Sequence, residues 1–418
     1  MELAIEKPAA GGRMIGRHDG QVILVQGAIP GERVVAAVER VERQVAFAST
    51  VDVLEASPDR REPAADLTCG GCLYAHIDYQ RQVTLKAEVI RDAFARLGRL
   101  PIAAPAVASS PDRGYRMRAR LHVRGDRVGF FREGTHDLCD AKITGQLTDA
   151  TVDAAAACVE SLARSATSLA AIELTENIAA DQRVAYLTVA GDSSPDHEAL
   201  DQALTASGLT GITSLGANGA SRTAGVPVVS DPLSVLTSGA AQSGSLQRHA
   251  ESFFQANRFL LPALVSAVVD AVPSEGAVLD LYAGVGLFSV SLAALGRRGI
   301  TAVEGDRTGG RDLQHNAMPF AAVLRILVES VEQFLKRRGQ QAETILVDPP
   351  RTGISRDAMN AVVGAKASRV VYVSCDPATM ARDARRLVDG GYELTALTAF
   401  DLFPNTPHVE SLGVFGRR

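Results

Sequence analysis

The chain has 418 residues, of which 46% are hydrophobic and 22% charged, and five cysteines. This composition is typical of a globular protein of two or three domains, and the net charge of −5 gives no global signal for nucleic-acid binding. Because no apolar run approaches the roughly 20 residues of a membrane-spanning helix, and no apolar leader is present, we expect a reduced cytoplasmic protein without disulfides or a membrane partner.

Short strands separated by turns are predicted over residues 1–57, and this pattern favours a small β-barrel. Two of its runs, Gly11-Gly-Arg-Met-Ile-Gly16 and Gly27-Ala-Ile-Pro-Gly-Glu-Arg33, resemble the TRAM domain, an OB-type barrel found at the front of RNA-modifying enzymes. The resemblance implies RNA binding by residues 1–57. A barrel with a purely structural role is the alternative.

A pair of cysteines, Cys69 and Cys72, opens the second predicted domain, which we assign to residues 58–245 and an α+β fold. The CxxC spacing suggests a metal site, and a turn whose two glycines serve the backbone geometry is the alternative. A helix is predicted over about residues 79–97 because apolar side chains recur there at helical spacing. It packs either with this middle domain or with the last one.

Arginines alternate with apolar residues in the middle domain, at Arg116, Arg118 and Arg120. In a strand these three side chains would share one face and could follow an RNA phosphate backbone. Arg132 extends the same basic segment. An ordinary solvated face of a strand is the alternative.

The third predicted domain, residues 246–418, has the pattern of a doubly wound α/β sheet. An apolar strand leads through Asp280 into a turn with Gly284 and Gly286, and a second strand ends at Glu304. Such glycines let the backbone approach a nucleotide, and the acid can accept ribose hydroxyls. The third glycine of a dinucleotide-binding loop is missing, and further strand ends follow at Asp348 and Ser374-Cys375. Together these features match an S-adenosylmethionine-dependent methyltransferase better than a dehydrogenase.

A cysteine follows another apolar strand of this domain, in Tyr372-Val-Ser-Cys-Asp-Pro377. The carboxyl ends of strands in an open α/β sheet face the ligand crevice, and the start of the next helix favours a thiolate. Cys375 is therefore predicted to be a presented, reactive thiol. A buried structural cysteine is the alternative.

Several motifs in the last domain together resemble the RNA 5-methyluridine methyltransferase family. They are Phe253-Phe-Gln-Ala-Asn257, Asp280-Leu-Tyr-Ala-Gly-Val-Gly-Leu-Phe288, Asp348-Pro-Pro-Arg-Thr-Gly353, Val373-Ser-Cys-Asp-Pro-Ala-Thr379, Asp401-Leu-Phe-Pro404 and His408-Val-Glu-Ser411. The resemblance implies a nucleophile at Cys375 and a general base at Glu410. It also implies contacts with S-adenosylmethionine from Gln255, Tyr282, Glu304 and Asp348, with Gly284 and Gly286 shaping the loop.

The same resemblance implies an enzyme acting on structured RNA, with 23S ribosomal RNA favoured over transfer RNA. Separately, we expect a monomer. The chain departs from the family at two places. Leu287 stands where the family often has a cofactor-contacting asparagine. The [4Fe–4S] cluster that the family holds with four cysteines lacks ligands here, because only Cys69, Cys72 and an out-of-register Cys139 are available.

The chemistry accounts for these residue types. Carbon 5 of uracil is a weak nucleophile, so a thiolate first adds to carbon 6, and a base later removes the proton from carbon 5. The target base would be flipped out of the RNA at a cost of about a few kcal/mol. Four alternatives remain: a cytosine-5 methyltransferase, an amino-group methyltransferase, structural roles for Glu410 and Asp348, and a non-catalytic RNA-binding or ribosome assembly factor.

Overall fold

The computed structural model describes residues 1–190, 194–216, 219, 221–337 and 341–418. The chain begins with a closed five-stranded barrel. Leu3 and Ile5 are buried between the exposed Glu2, Ala4 and Glu6, so alternation gives the start of the first strand one buried face. The strand order is β1-β2-β3-β5-β4, as an OB-type barrel requires. The strands are β1 (Glu2–Pro8), β2 (Met14–His18), β3 (Gln21–Gln26), β4 (Arg33–Glu42) and β5 (Val45–Glu55).

The middle of the chain is built on a seven-stranded mixed sheet with two helices on one face. Its strands are β7 (Arg118–Arg124), β8 (Arg127–Phe131), β9 (Leu138–Asp140), β10 (Leu169–Glu176), β11 (Arg183–Val189), β12 (Gly211–Leu215) and β13 (Ser221–Gly225). The helices here are the short α2 (Ala141–Thr144), α3 (Asp149–Arg164) and α4 (His197–Ser207). Apolar residues of α3 and α4 form one core with the inward side chains of β7 and β10, which leaves the opposite face of β7 polar.

A two-stranded ribbon connects the middle sheet to the last domain. The ribbon pairs β14 (Val228–Pro232) with β15 (Ser245–His249), and the short helix α5 (Leu233–Leu236) lies between them in the chain. A buried ionic network lies beside it: Glu176 accepts hydrogen bonds from Arg183 and Arg258, and Arg248 donates to Asp231 at 2.5 Å. Because a buried charge is costly unless it is paired, this network fixes the middle sheet against the segment that enters the last domain.

The last domain is a doubly wound α/β sheet, as predicted. The strands are β16 (Val278–Leu281), β17 (Ile300–Glu304), β18 (Leu324–Val328), β19 (Thr344–Val347), β20 (Arg369–Ser374), β21 (Tyr392–Phe400) and β22 (Glu410–Arg417). The helices are α6 (Leu261–Ala271), α7 (Leu287–Ala294), α8 (Arg307–Ala317), a 3₁₀ turn (Met318–Phe320), α9 (Val331–Leu335), α10 (Arg356–Ala365) and α11 (Pro377–Asp389). β16 to β20 are parallel, and β22 runs antiparallel to β20.

An earlier part of the chain completes this last sheet. The eight-stranded order is β18-β17-β16-β19-β20-β22-β21-β6, where β6 (Val107–Ala108) comes from the segment before the middle sheet. The predicted helix is observed as α1 (Tyr79–Arg96), and it packs against α11. Its Lys86 forms a fully buried ion pair with Asp401, at 2.5 Å, so α1 is bonded to the loop between β21 and β22.

The barrel also touches this loop. Gly12, in the turn between β1 and β2, has φ of +93°, and a Cβ there would lie 2.8 Å from Pro407. The absence of a side chain therefore permits the barrel to approach the β21–β22 loop closely. Within the described ranges, no helix is both long and apolar enough to cross a membrane.

Candidate active site

The predicted site residues of the last domain meet at one edge of its sheet. Four parallel strands end beside one another there, and they deliver Tyr282, Glu304, Asp348 and Cys375. β22 runs the opposite way, so its first residue, Glu410, lies at the same edge. These side chains line one cavity of about 1130 Å³, together with Gln255 and Gly284. This volume is ample for a nucleotide-sized ligand and a second group.

Cys375 is the residue that immediately follows β20, and its thiol is partly exposed in the cavity. Asp376 caps the next helix, α11, by accepting a hydrogen bond from Thr379 N at 2.7 Å. Burial, together with the nearby carboxyls of Glu410 and Asp348, raises the pKa of the Cys375 thiol to about 12. Burial and the acidic neighbours therefore oppose the thiolate that the start of α11 is predicted to favour.

Glu410 and Asp348 form a close pair of carboxyl groups. Burial raises the pKa of Asp348 to about 7, although a weak 3.5 Å hydrogen bond from Gln255 opposes the shift. Burial and the neighbouring Asp348 raise the pKa of Glu410 well above its ordinary value. Such a pair resists full ionisation because two like charges would be held together in a poorly solvated space.

The glycine loop between β16 and α7 has the backbone that its sequence predicts. Gly284 and Gly286 have φ of +56° and +94°, and a Cβ on Gly286 would lie 2.7 Å from Leu313. The carboxylate of Glu304 accepts hydrogen bonds from the backbone N–H groups of Gly284 and Asp306, both at 2.6 Å. Each carboxylate oxygen retains a further acceptor position, so Glu304 can also bind hydroxyl groups of a ligand.

Two further side chains surround this loop. Tyr282 adopts a positive φ of +62° and donates a hydrogen bond to Glu332 at 3.2 Å. Asp280 is fully buried beneath the loop, and burial, assisted by Asp348 and Glu304, raises its pKa to about 7. Leu287, which stands at the start of α7, is buried and lines the cavity with its apolar side chain.

The structure keeps two of the predicted arginines together and places the other two elsewhere. Arg116 lies before β7 and lines the cavity, where it donates to Gln146 at 2.7 Å. Arg118 also lines the cavity, while Arg120 lies further out on the same strand. Arg132 does not line the cavity, and it is paired with Asp66. Arg118 and Arg120 therefore share one face of β7, where both bond to Glu173, whereas Arg132 lies apart from them.

The cysteines of the middle domain do not form the predicted metal site. Cys69 is joined to Cys139 in a disulfide, which also corrects the expectation of reduced thiols, and Cys72 is a buried free thiol whose pKa burial raises to about 11. In the part of the chain that the structure describes, no group of three or more His, Cys, Asp or Glu side chains could hold a metal. The donor set therefore does not fit a four-iron cluster.

The glycines of the CxxC turn have a structural use. Gly71 has φ of +87°, and a Cβ there would lie 2.4 Å from the Gln146 amide. Gln146 in turn donates to Gly70 O at 2.8 Å and accepts from Arg116. The turn thus holds the amide that orients Arg116 at the cavity, in agreement with the alternative reading of this segment.

Other cavity residues were not predicted as site residues. His408 lies two residues before Glu410, and burial lowers its pKa to about 4, with Arg351 contributing, so its ring is neutral. Phe403 packs edge-on against His408 and lines the cavity, as does Phe253, whose side chain is 68% exposed. All three residues lie inside motifs that resemble the family, and this position was the signal that could have identified them. The direction in which their side chains point was decided by the fold.

Known proteins resemble the chain over its whole length. Residues 327–418 match the tRNA (Uracil-5-)-methyltransferase family, and residues 1–51 match the TRAM domain. The 23S rRNA (uracil(1939)-C(5))-methyltransferase RlmD of Pseudomonas putida is 32% identical over 99% of this chain and 93% of its own length. The enzyme of the same name from Alkalilimnicola ehrlichii is also 32% identical, over 100% of this chain and 96% of its own length.

A solved structure has the same fold. The Pyrococcus abyssi tRNA (uracil-54, C5)-methyltransferase, determined in complex with S-adenosyl-L-homocysteine, superposes with a TM-score of 0.78 over 99% of both chains. Its sequence identity with this chain is 23%. The superposition confirms the methyltransferase fold with a barrel at the front.

Proposed function

The chain belongs to the RNA (uracil-5-)methyltransferase family, and we propose that it methylates carbon 5 of a uridine in 23S ribosomal RNA with S-adenosylmethionine as the methyl donor. The observation that carries the proposal is the placement of Cys375 and Glu410 at one sheet edge, in one cavity. A thiol beside a carboxyl is the arrangement that addition to carbon 6 and removal of the carbon 5 proton require.

The residues around the glycine loop fit the methyl donor. Glu304 would accept hydrogen bonds from the ribose hydroxyls, and the side-chain-free Gly284 lets the backbone approach the ligand. Tyr282 and Leu287 would provide apolar contacts. At Leu287, an apolar contact would stand in place of the asparagine contact that is common in the family. When bound, S-adenosylmethionine supplies an electrophilic methyl group on a sulfonium centre.

Cys375 would act as the nucleophile. Its thiol loses a proton to solvent, and the sulfur then forms a bond to carbon 6 while the electron pair of the 5,6 double bond moves toward carbon 5 and O4. This addition makes carbon 5 reactive toward the methyl group. The raised thiol pKa means that little thiolate is present in the free site at neutral pH.

Glu410 would complete the reaction as the base. Its carboxylate removes the remaining proton from carbon 5, the 5,6 double bond re-forms, and the bond between sulfur and carbon 6 breaks to return the Cys375 thiolate. Because burial and Asp348 raise the pKa of Glu410, its ionised form is a stronger proton acceptor than an exposed glutamate. The proton on Glu410 then passes to solvent, and the thiolate regains from solvent the proton that it lost before addition, so each turnover releases a net of one proton.

The relatives support ribosomal RNA as the substrate, and the position of the barrel supports binding of RNA in general. The relatives that cover nearly the whole chain at 32% identity are named for uracil 1939 of 23S rRNA. The barrel turn at Gly12 also abuts Pro407, so a barrel-bound RNA would lie next to the cavity. The target base would be flipped into the cavity, and Arg116 and Arg118 at its rim would neutralise nearby phosphates.

The test is release of tritium from RNA labelled at carbon 5 of uridine, with protein-free 23S rRNA, assembly intermediates of the large subunit and transfer RNA supplied separately. Release from either ribosomal substrate, and none from transfer RNA, is the expected result. Release from transfer RNA alone would contradict the ribosomal substrate. If no RNA released tritium although S-adenosylmethionine bound, the catalytic proposal would be wrong and an RNA-binding assembly factor would be favoured.

A further inference from the structure

Two aromatic rings are stacked on the polar face of the β7–β8 hairpin. The rings of His122 and Phe131 lie parallel within 6°, with centroids 3.6 Å apart, and His136 meets Phe131 edge-on at 5.3 Å. Both stacked side chains are only half-buried. The β7–β8 hairpin therefore presents a preformed π surface on the face of the sheet that is turned away from α3.

The stack is not needed to fill the core of this domain. The core contacts of β7 come from the alternate residues Ala119, Leu121 and Val123, which face α3 on the other side of the sheet. Because side chains alternate along a strand, His122 points away from that core. Burial and the nearby Arg120 and Arg124 lower the pKa of His122, so the ring stacks as a neutral aromatic group at pH 7.

Positive charge surrounds the two rings. Arg124 lies 5.5 Å from the Phe131 centroid, and both Arg118 and Arg120 donate to a single acid, Glu173, at 3.0 and 3.2 Å. Among the described residues, the three arginines of β7 therefore have one carboxylate partner on this face. Arg120 is half exposed in spite of this bond, which leaves donors free for a second acceptor.

This surface is continuous with the catalytic cavity. Phe131 and Arg118 both line the cavity, and Arg118 also lies 5.9 Å from the ring of the exposed Phe253. We call Arg118, Arg120, His122, Arg124 and Phe131 the hairpin strip. It leads from the rim of the cavity outward over the middle domain.

We propose that the hairpin strip binds the single-stranded nucleotides that flank the target uridine, with one base extending the His122–Phe131 stack and the adjoining phosphates on Arg120 and Arg124. Aromatic platforms interleaved with arginines bind unpaired RNA, because every base has a π face and every linkage a negative charge. The inference rests on the proposed function for the identity of the ligand as RNA.

The test measures RNA binding directly and does not depend on methyl transfer. The probe is a single-stranded RNA oligonucleotide with one uridine flanked by 2-aminopurine, whose fluorescence is quenched when it stacks. The variants are His122→Ala and Phe131→Leu, the latter keeping apolar volume without a π face, together with Arg124→Gln. Arg164→Gln is the matched control, because Arg164 is exposed on α3, on the opposite side of the same domain.

We expect the two ring variants to lose the quenching and to weaken binding about 10-fold, as a lost stacking contact does. Arg124→Gln should keep the quenching and reduce the slope of log Kd against log salt by about 1. Arg164→Gln should match the wild type. Circular dichroism of each variant checks that the fold is kept.

Equal quenching and affinity in the wild type and both ring variants would overturn the proposal, as would an unquenched wild-type complex. Tritium release by the wild type is measured on the same preparation. If the ring variants lose quenching while the wild type releases no tritium, the strip stands and the proposed reaction fails. If the wild type releases tritium and the ring variants bind normally, the reaction stands and the strip fails.

Discussion

Cys375 and Glu410 stand at the same end of two neighbouring antiparallel strands, each one residue beyond the paired Ser374 and Ser411. The chain thus brings together two residues that are 35 positions apart through strand register alone. The antiparallel direction of β22 is essential, because a parallel strand would place its first residue at the opposite edge. This pairing gives the site its thiol and its carboxyl, and most of the following predictions test it.

Replacing the thiol should abolish methyl transfer without removing the binding site. Cys375→Ala is expected to reduce tritium release at least ~1000-fold, because carbon 5 then has no covalent activation. Binding of S-adenosylmethionine, measured by calorimetry, should be unchanged, since Glu304 and the glycine loop are intact. Turnover within tenfold of the wild type would exclude the covalent mechanism.

Replacing the carboxyl should trap the reaction after addition. Glu410→Gln is expected to slow turnover about 100- to 10,000-fold, because proton removal from carbon 5 lacks its base. A methylated RNA joined to Cys375 should accumulate and be visible by denaturing electrophoresis and mass spectrometry. Cys375→Ala/Glu410→Gln is the control and should give no adduct. If the single variant gave no adduct while remaining slow, Glu410 would act before addition.

The reactivity of Cys375 should depend steeply on pH. Its thiol pKa is raised, so the protonated form dominates at neutral pH and the thiolate fraction grows about tenfold per pH unit below the pKa. We expect the rate of alkylation by iodoacetamide to rise in this way from pH 7 to 10. Peptide mapping by mass spectrometry separates Cys375 from the buried Cys72 and Cys158. A plateau below pH 8 would contradict the raised pKa.

The buried ion pair between α1 and the β21–β22 loop should matter to stability. Lys86→Met leaves Asp401 buried without its cation, and we expect a loss of about 3–5 kcal/mol in the free energy of unfolding by urea. Lys86→Met/Asp401→Asn should recover most of this loss, because neither charge is then left unpaired. Arg96→Met, which breaks an exposed pair with Asp92 on the same helix, should cost less than about 1 kcal/mol. Equal losses in the single and double variants would refute the pairing.

The disulfide of the middle domain should stabilise the fold, and the cysteines of this domain should bind no iron–sulfur cluster. The disulfide closes a segment of 70 residues, so Cys139→Ser should lower the stability of the oxidised protein by about 2–4 kcal/mol, and Cys72→Ser should lower it less. Anaerobic reconstitution with ferrous iron and sulfide should leave the spectrum without a cluster band and the iron content far below that of a [4Fe–4S] centre. A stoichiometric cluster would show that the thiols rearrange around iron.

Local sequence determined the elements that carry the site. The apolar strand before Cys375, the two glycines after Asp280 and the acid at Glu304 each follow from short-range rules of strand, turn and helix formation. The same rules gave the barrel and the helix α1, and the ordered motifs identified the family. They could not give the thiol pKa, because that depends on Glu410 and Asp348, which arrive from other strands.

Tertiary structure decided which residues meet. Several contacts join positions that no local pattern relates. They are the disulfide between Cys69 and Cys139, the pair between Arg132 and Asp66, and the His122–Phe131 stack. Sequence fixes backbone preference and the order of elements, since these depend on neighbouring residues. Charge, burial and contact depend on distances across the folded chain, and the register of paired strands and the packing of α1 set those distances.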